Sequence, residues 1–172
     1  MNNSKTNKSD EQKFIDLYHE IVNLCNKNAW GDPMSYARAK EIYAAGALGH
    51  TVSNTLSGAD AYNQNGQPVE YKSTTGDKIQ GSYTGISKMN TWEEQVEYLM
   101  EDKIGKYPEH YFNRFNKDGI LEESWRLSGW DVFQILLPKV KKSFDTFGKR
   151  KDPRLSGNVT WREIYKFGVK VI

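Results

Sequence analysis

Apolar residues recur at helical spacing over Phe14, Leu17, Tyr18, Ile21, Val22, Leu24 and Cys25, which predicts an amphipathic helix as the first ordered element. A second helix is expected to open at Asp32-Pro33, with Asp32 as N-cap and Pro33 in the first turn. Its apolar side would run through Tyr36, Ala39, Ile42 and Tyr43, with Gly46 and Gly49 ending it. The period then changes. Residues 50–56 read as a strand, and Val69 to Thr74 alternate apolar with polar side chains. Residues 78–87 read as a further strand, in which Gly81 and Gly85 permit bends or close backbone approach.

Beyond it, Asn90 or Thr91 should cap a helix reaching Glu101, with Trp92, Val96, Leu99 and Met100 on its apolar side. Residues 111–115 and 120–127 suggest a hairpin turning at Asn116-Lys117-Asp118-Gly119. Ser128 should cap a long helix over 130–147, kinked by Pro138, and 158–172 reads as a strand-rich return to the sheet. Strands with helices before, between and after them predict an α/β or α+β fold, a mixed central β-sheet flanked by helices. Residues 1–12 are expected to be a disordered tail and 13–172 a single domain.

One stretch carries candidate chemistry. Asn65-Gly66 is the dipeptide that most readily takes the positive φ angles of a two-residue hairpin turn. On the strand after it, Val69 and Tyr71 point one way while Glu70 and Lys72 point the other. The hairpin returns Asp60 toward that second face, so two carboxylates and one ammonium group converge. Two acidic oxygens with the Tyr71 carbonyl form a hard-oxygen site suited to Mg²⁺. Such an ion acidifies a bound water and neutralises charge growing on a phosphate, and Lys72 can orient or deprotonate that water. The same residue types also make ordinary cross-strand surface clusters of little energetic value, and the spacing alone leaves both open.

The flanking residues favour the chemistry. Through Gly58, Asp60, Ala61, Asn65-Gly66-Gln67, Glu70, Lys72 and Ser73 the chain resembles the PD-(D/E)XK nuclease superfamily, in particular type II restriction endonucleases of the PvuII kind. The gap from first acid to second is the same. The resemblance continues through the segment from Lys78 to Asn90, where that family has a glycine and a DNA-reading strand, and it returns at Phe167-Gly168-Val169-Lys170-Val171-Ile172. This chain departs from the pattern in having Ile86-Ser87-Lys88-Met89 in place of a run of histidines, and Ser57 in place of an additional acid.

The resemblance implies a restriction-endonuclease-like fold whose helical residues 13–47 form a dimer surface. It implies Mg²⁺-dependent hydrolysis of double-stranded DNA at a short palindrome, leaving 5′-phosphate ends, with Mn²⁺ able to substitute. Asp60, Glu70 and Lys72 would be catalytic, and Asp60, Glu70 and Tyr71 would hold the metal. Lys78, Ser82, Tyr83, Thr84, Ser87, Lys88 and Asn90 would contact DNA, residue types that suit base edges. A homodimer fits a palindrome, since each site addresses one of two equivalent phosphates. A structure-directed or repair nuclease with the same core remains an alternative, as does an inactive DNA-binding module.

Charge sharpens this picture a little. The formal net charge is only +2, but it is segregated. Seven basic residues (Lys139, Lys141, Lys142, Lys149, Arg150, Lys151, Arg154) stand against Asp145 and Asp152, whereas Glu93 to Asp102 holds five acids and no base. The basic run suits a phosphate-tracking surface or, equally, a solvated helix face. Cys25 is the single cysteine and reads as a core thiol. His19, His50 and His110 lack zinc-ligand spacing, and no phosphate-binding glycine loop suggests a nucleotide cofactor. No signal peptide or long apolar run is present, which predicts a cytoplasmic chain without membrane contact.

Overall fold

A computed structural model describes residues 8–55, 57–147 and 154–172. They form five helices and eight strands: α1 (Asp10–Lys27), α2 (Arg38–Leu48), β1 (Thr51–Val52), β2 (Ala61–Tyr62), β3 (Pro68–Thr74), β4 (Gly81–Ile86), α3 (Trp92–Tyr98), β5 (Glu109–Phe115), β6 (Leu121–Ser128), α4 (Gly129–Asp145), β7 (Leu155–Val159), α5 (Trp161–Phe167) and β8 (Val169–Lys170). A π-helical turn, Leu99–Lys103, continues α3. The fold is α+β. Six strands make one mixed sheet in the order β1-β2-β3-β5-β6-β8, and β4 pairs with β7 in a separate antiparallel ribbon. Only β3 and β5 run parallel, because β4, α3 and the π-helical turn carry the chain between them.

The period-two pattern of β3 and β5 sorts side chains between two layers. Val69, Tyr71 and Tyr111 pack on Ala44 and Ala45 of α2. Phe112 faces the other way, into the larger core of Ile79, Tyr83, Ile86, Leu99, Leu127 and Leu136. Both faces of the central strands are therefore covered by helices, and β5 is buried along most of its length. No helix among the described residues is long and apolar enough to cross a membrane.

Several elements differ from their sequence expectation. Ser9 caps α1 and Asp10–Gln12 belong to its first turn, so the expected tail is shorter at its inner end; residues 1–7 lie outside the described residues. Asp32 does not start α2. Its side chain accepts from the Met34 amide in a local turn, Tyr36 takes a positive φ of 47°, and the helix begins only at Arg38. The strand expected over 50–56 shortens to Thr51–Val52, with Leu56 outside the described residues. Pro138 lies inside α4 without ending it. The closing segment is less strand-rich than its β-formers suggest. β7 pairs with β4, not the main sheet, and α5 follows with a Thr160–Glu163 capping box before β8 joins β6. Thr160-Trp161-Arg162-Glu163 is itself a readable capping-box signature.

Gly81 sets how close β4 comes to β3. A Cβ there would meet the Phe112 ring at 2.4 Å and Lys72 Cβ at 2.9 Å. Gly81→Ala is therefore expected to lower stability by ~1–3 kcal/mol through overpacking. Thermal or urea unfolding reads this directly, and a wild-type midpoint would show that the close approach is not required.

Candidate active site

β2 and β3 pair antiparallel with Ala61 opposite Val69, and one residue further the same register sets Asp60 opposite Glu70. The hairpin loop that fixes this register is longer than two residues. The Asn63 side chain accepts from the amides of Asn65 and Gln67, and Gly66 supplies the positive φ of 73°. Asp60 is tied on three sides. Its amide donates to the Val69 carbonyl (3.1 Å), its carbonyl accepts from the Ser53 amide (3.1 Å), and its Oδ2 accepts from the Tyr71 amide (2.7 Å). Ser53 is held in turn by Arg38. That buried guanidinium donates to the carbonyls of Ser53 and Trp30 and pairs with Glu41 at 3.2 Å.

Glu70 and Lys72 share the opposite face of β3 from Tyr71, and Lys72 Nζ lies 2.5 Å from Glu70 Oε1. The ammonium also stands 4.8 Å from the centroid of the Tyr83 ring. Tyr83 is buried and its hydroxyl is 2.8 Å from His110 Nδ1, while His110 Nε2 is 3.1 Å from the Ile104 carbonyl. A carbonyl can only accept, so Nε2 carries the proton and Nδ1 accepts from Tyr83. Burial pushes the His110 imidazole down to about 3, so it stays neutral and adds no charge beneath Lys72.

Asp60 carries a strong electrostatic perturbation. Burial first, and then the neighbouring Glu70 carboxylate, push its pKa up to about 7 against the opposing pull of the Tyr71 amide. A cation relieves both causes. Each carboxylate keeps one oxygen outside the hydrogen bonds just described: Oδ1 of Asp60 and Oε2 of Glu70. The Tyr71 amide points to the β2 edge, so its carbonyl points there too, beyond the place where β2 has ended. Two carboxylate oxygens and one carbonyl suit a Mg²⁺ ion that retains several waters; among the described residues no group of three or more His, Cys, Asp or Glu side chains gathers, here or at any other place.

Glu70 and Lys72 open into a cleft of about 400 Å³. Of the residues expected to contact DNA, Ser82 and Thr84 line it and are exposed. Tyr83 alternates to the opposite face of β4, is buried, and lines the cleft as the ring under Lys72. The remaining four do not line the cleft. Lys78 stacks on Trp161, Lys88 lies over Phe144 and Phe147, the Ser87 carbonyl accepts from Gln95, and the Asn90 amide donates to Glu94 beside the α3 cap. The basic run is largely neutralised where it is described. Lys139 pairs with Glu163 and Lys141 with Asp145, while residues 148–153 lie outside the described residues.

Tyr98, Asp102, Lys103 and Lys106 also line the cleft and were not expected there. Regular helical periodicity gives no sign of them, because the π-helical turn changes which side of the segment faces inward. No protein-family model and no curated protein matches the chain.

The raised Asp60 pKa has a linkage consequence. In metal-free protein its contribution is fully present below the ordinary aspartate pKa of about 4 and is lost as pH rises through about 7. Asp60→Asn should therefore melt several degrees above wild type at pH 8 in EDTA, and the gap should close toward pH 4. Added Mg²⁺ should raise the melting temperature of wild type at pH 8 but not that of Asp60→Asn. A pH-independent difference would remove the electrostatic explanation.

Proposed function

We propose that the protein is a Mg²⁺-dependent endonuclease of double-stranded DNA, acting as a type II restriction enzyme at a short palindromic site. The supporting observation is the convergence of Asp60, Glu70 and Lys72 where β2 meets β3, with Glu70 and Lys72 lining the cleft and the Asp60 pKa raised by burial and by Glu70. Enzymes concentrate such perturbed groups where charge must change during reaction.

Asp60 and Glu70 would hold the ion through their unengaged oxygens, with the Tyr71 carbonyl as third protein ligand. When bound, Mg²⁺ supplies an acidified water and neutralises charge on the phosphate. Lys72 donates to the attacking water or to a phosphate oxygen, and its proximity to Glu70 sets its position. Attack at phosphorus forms one new P–O bond and breaks the bond to the 3′ oxygen, which leaves with a proton from solvent and gives a 5′-phosphate end. Ser82 and Thr84 supply hydroxyls to phosphates or base edges across the cleft.

The chain would work as a homodimer built on α1. This helix of 18 residues buries only Cys25, and it leaves Phe14 67%, Leu17 57% and Leu24 52% exposed on one side. A contiguous apolar face of this kind marks an association surface. Two identical copies related by a two-fold axis match the two strands of a palindrome. The cytoplasm, where DNA and Mg²⁺ coexist, is the compartment this activity requires.

Two measurements test this reading. Plasmid or phage DNA incubated with protein and Mg²⁺ should yield discrete fragments with 5′-phosphate ends, and Asp60→Ala or Lys72→Ala should reduce cleavage at least 10³-fold, a loss of ~4 kcal/mol of transition-state stabilisation. Undiminished cutting by either variant refutes the assigned roles. Separately, Leu17→Glu with Ile21→Glu should convert a dimer to a monomer in light scattering. A wild-type protein that is monomeric at high concentration would exclude α1 as the interface.

A further inference from the structure

We infer that the π-helical turn and the loop after it form a phosphate-binding subsite, in which Lys103 and Lys106 engage the backbone of a duplex lying across the catalytic cleft. This rests on the nuclease reading above and adds to it a part of the surface that no resemblance assigned.

Three observations carry it. First, Lys103 and Lys106 line the same cleft as Glu70 and Lys72 and, among the described residues, enter no ion pair or hydrogen bond with a carboxylate. Of the three lysines that line the cleft, Lys72 is paired with Glu70, so Lys103 and Lys106 are the two there left available to an anion from solution. Three lysines in the cleft lining stand against two acids, Glu70 and Asp102, and Glu70 is already paired with Lys72.

Second, the backbone that carries them is fixed. The Ile104 and Gly105 amides both donate to the Leu99 carbonyl, at 2.8 and 3.2 Å, which is the wide bonding of a π turn. His110 donates to the Ile104 carbonyl from the buried layer beneath Glu70. Gly105 allows this closure, since a Cβ there would come within 2.5 Å of the Met100 carbonyl. Tyr107 anchors the far end: it is buried, and its carbonyl packs so tightly on Gly129 that a Cβ on that glycine would fall 2.1 Å away. Lysines on a rigid frame lose less order on binding than those on a free loop.

Third, the π turn carries Asp102 and Lys103 onto the cleft beside Tyr98 while Leu99 and Ile104 stay in the core. Such turns occur frequently at functional sites. The ligand chemistry follows from the cleft's openness and its other wall. Ser82 and Thr84 hydroxyls face two ammonium groups across a groove, the side-chain types that meet sugar–phosphate backbones. A repeating polyanion fills several such contacts at once, whereas a small anion would satisfy one.

The test is equilibrium binding of a short mixed-sequence duplex in EDTA, measured across a salt series, with Mg²⁺ cleavage assayed in parallel. Each phosphate contact contributes about −0.9 to the slope of log K against log salt. Lys103→Ala and Lys106→Ala should each flatten that slope by about this amount per protomer, and Lys103→Arg should keep it. Lys117→Ala, exposed in the β5–β6 turn, should bind as wild type. All variants should keep the wild-type melting temperature. If wild type binds and cuts but the alanine variants keep its slope, the subsite is wrong and the nuclease reading stands. If the slopes fall as expected but wild type cuts no DNA with Mg²⁺, the subsite stands and the nuclease reading fails. Absence of any duplex binding by wild type overturns the subsite.

Discussion

The Tyr71 amide needs an acceptor at the point where β2 stops, and the Asp60 carboxylate provides it. That hydrogen bond governs the rest of the site. A backbone donor left without a partner in this half-buried position would cost ~1–3 kcal/mol, so Asp60 is bound to the sheet edge regardless of what else surrounds it. The same tie brings a second carboxylate beside Glu70 in a place that water reaches poorly. The hydrogen bond favours the ionised form, while burial and Glu70 oppose it and prevail. Lys72 offsets part of the repulsion but is directed at Glu70, not at Asp60. The hairpin thus folds with an electrostatic deficit that a divalent cation would fill.

Two separate frameworks keep the three groups in register. On the α2 side, Arg38 clamps Ser53 and so fixes the strand that receives the Asp60 carbonyl. On the other side, His110 links Tyr83 to Ile104, and Phe112 packs where Gly81 leaves room. Lys72 is placed by this second framework, over the Tyr83 ring. An error in either would move one carboxylate relative to the ammonium by the fractions of an ångström that matter in catalysis.

What the sequence shows and what it conceals divide along physical lines. Alternation on β3 was legible because a period of two is local, and so was the sharing of one face by Glu70 and Lys72. The mixed sheet, the caps at Thr91 and Ser128 and the hairpin at 116–119 were legible for the same reason. The start of α2 was not, because Asp32 spends its side chain on a local turn that mimics a cap. The β4–β7 ribbon was hidden since β-formers do not name their partner. The burial of Tyr83 was hidden because its polar hydroxyl gives no hint that a buried histidine 27 residues away will accept a hydrogen bond from it.

The least legible element, the π-helical turn, lies at the cleft. At several helix starts local signals and tertiary structure agree: Ser9, Thr91 and Ser128 each cap the helix they precede. Sequences that fold to one state show this agreement broadly and break it where function needs another geometry. Here the breaks are a carboxylate pair with an unmatched charge and a helix that widens by one residue as it passes that pair. The two lie at one cleft, which Glu70 lines from the first and Asp102 and Lys103 from the second. On the reading proposed above, a metal ion held by the carboxylates and a polyanion held by Lys103 and Lys106 would meet at that cleft.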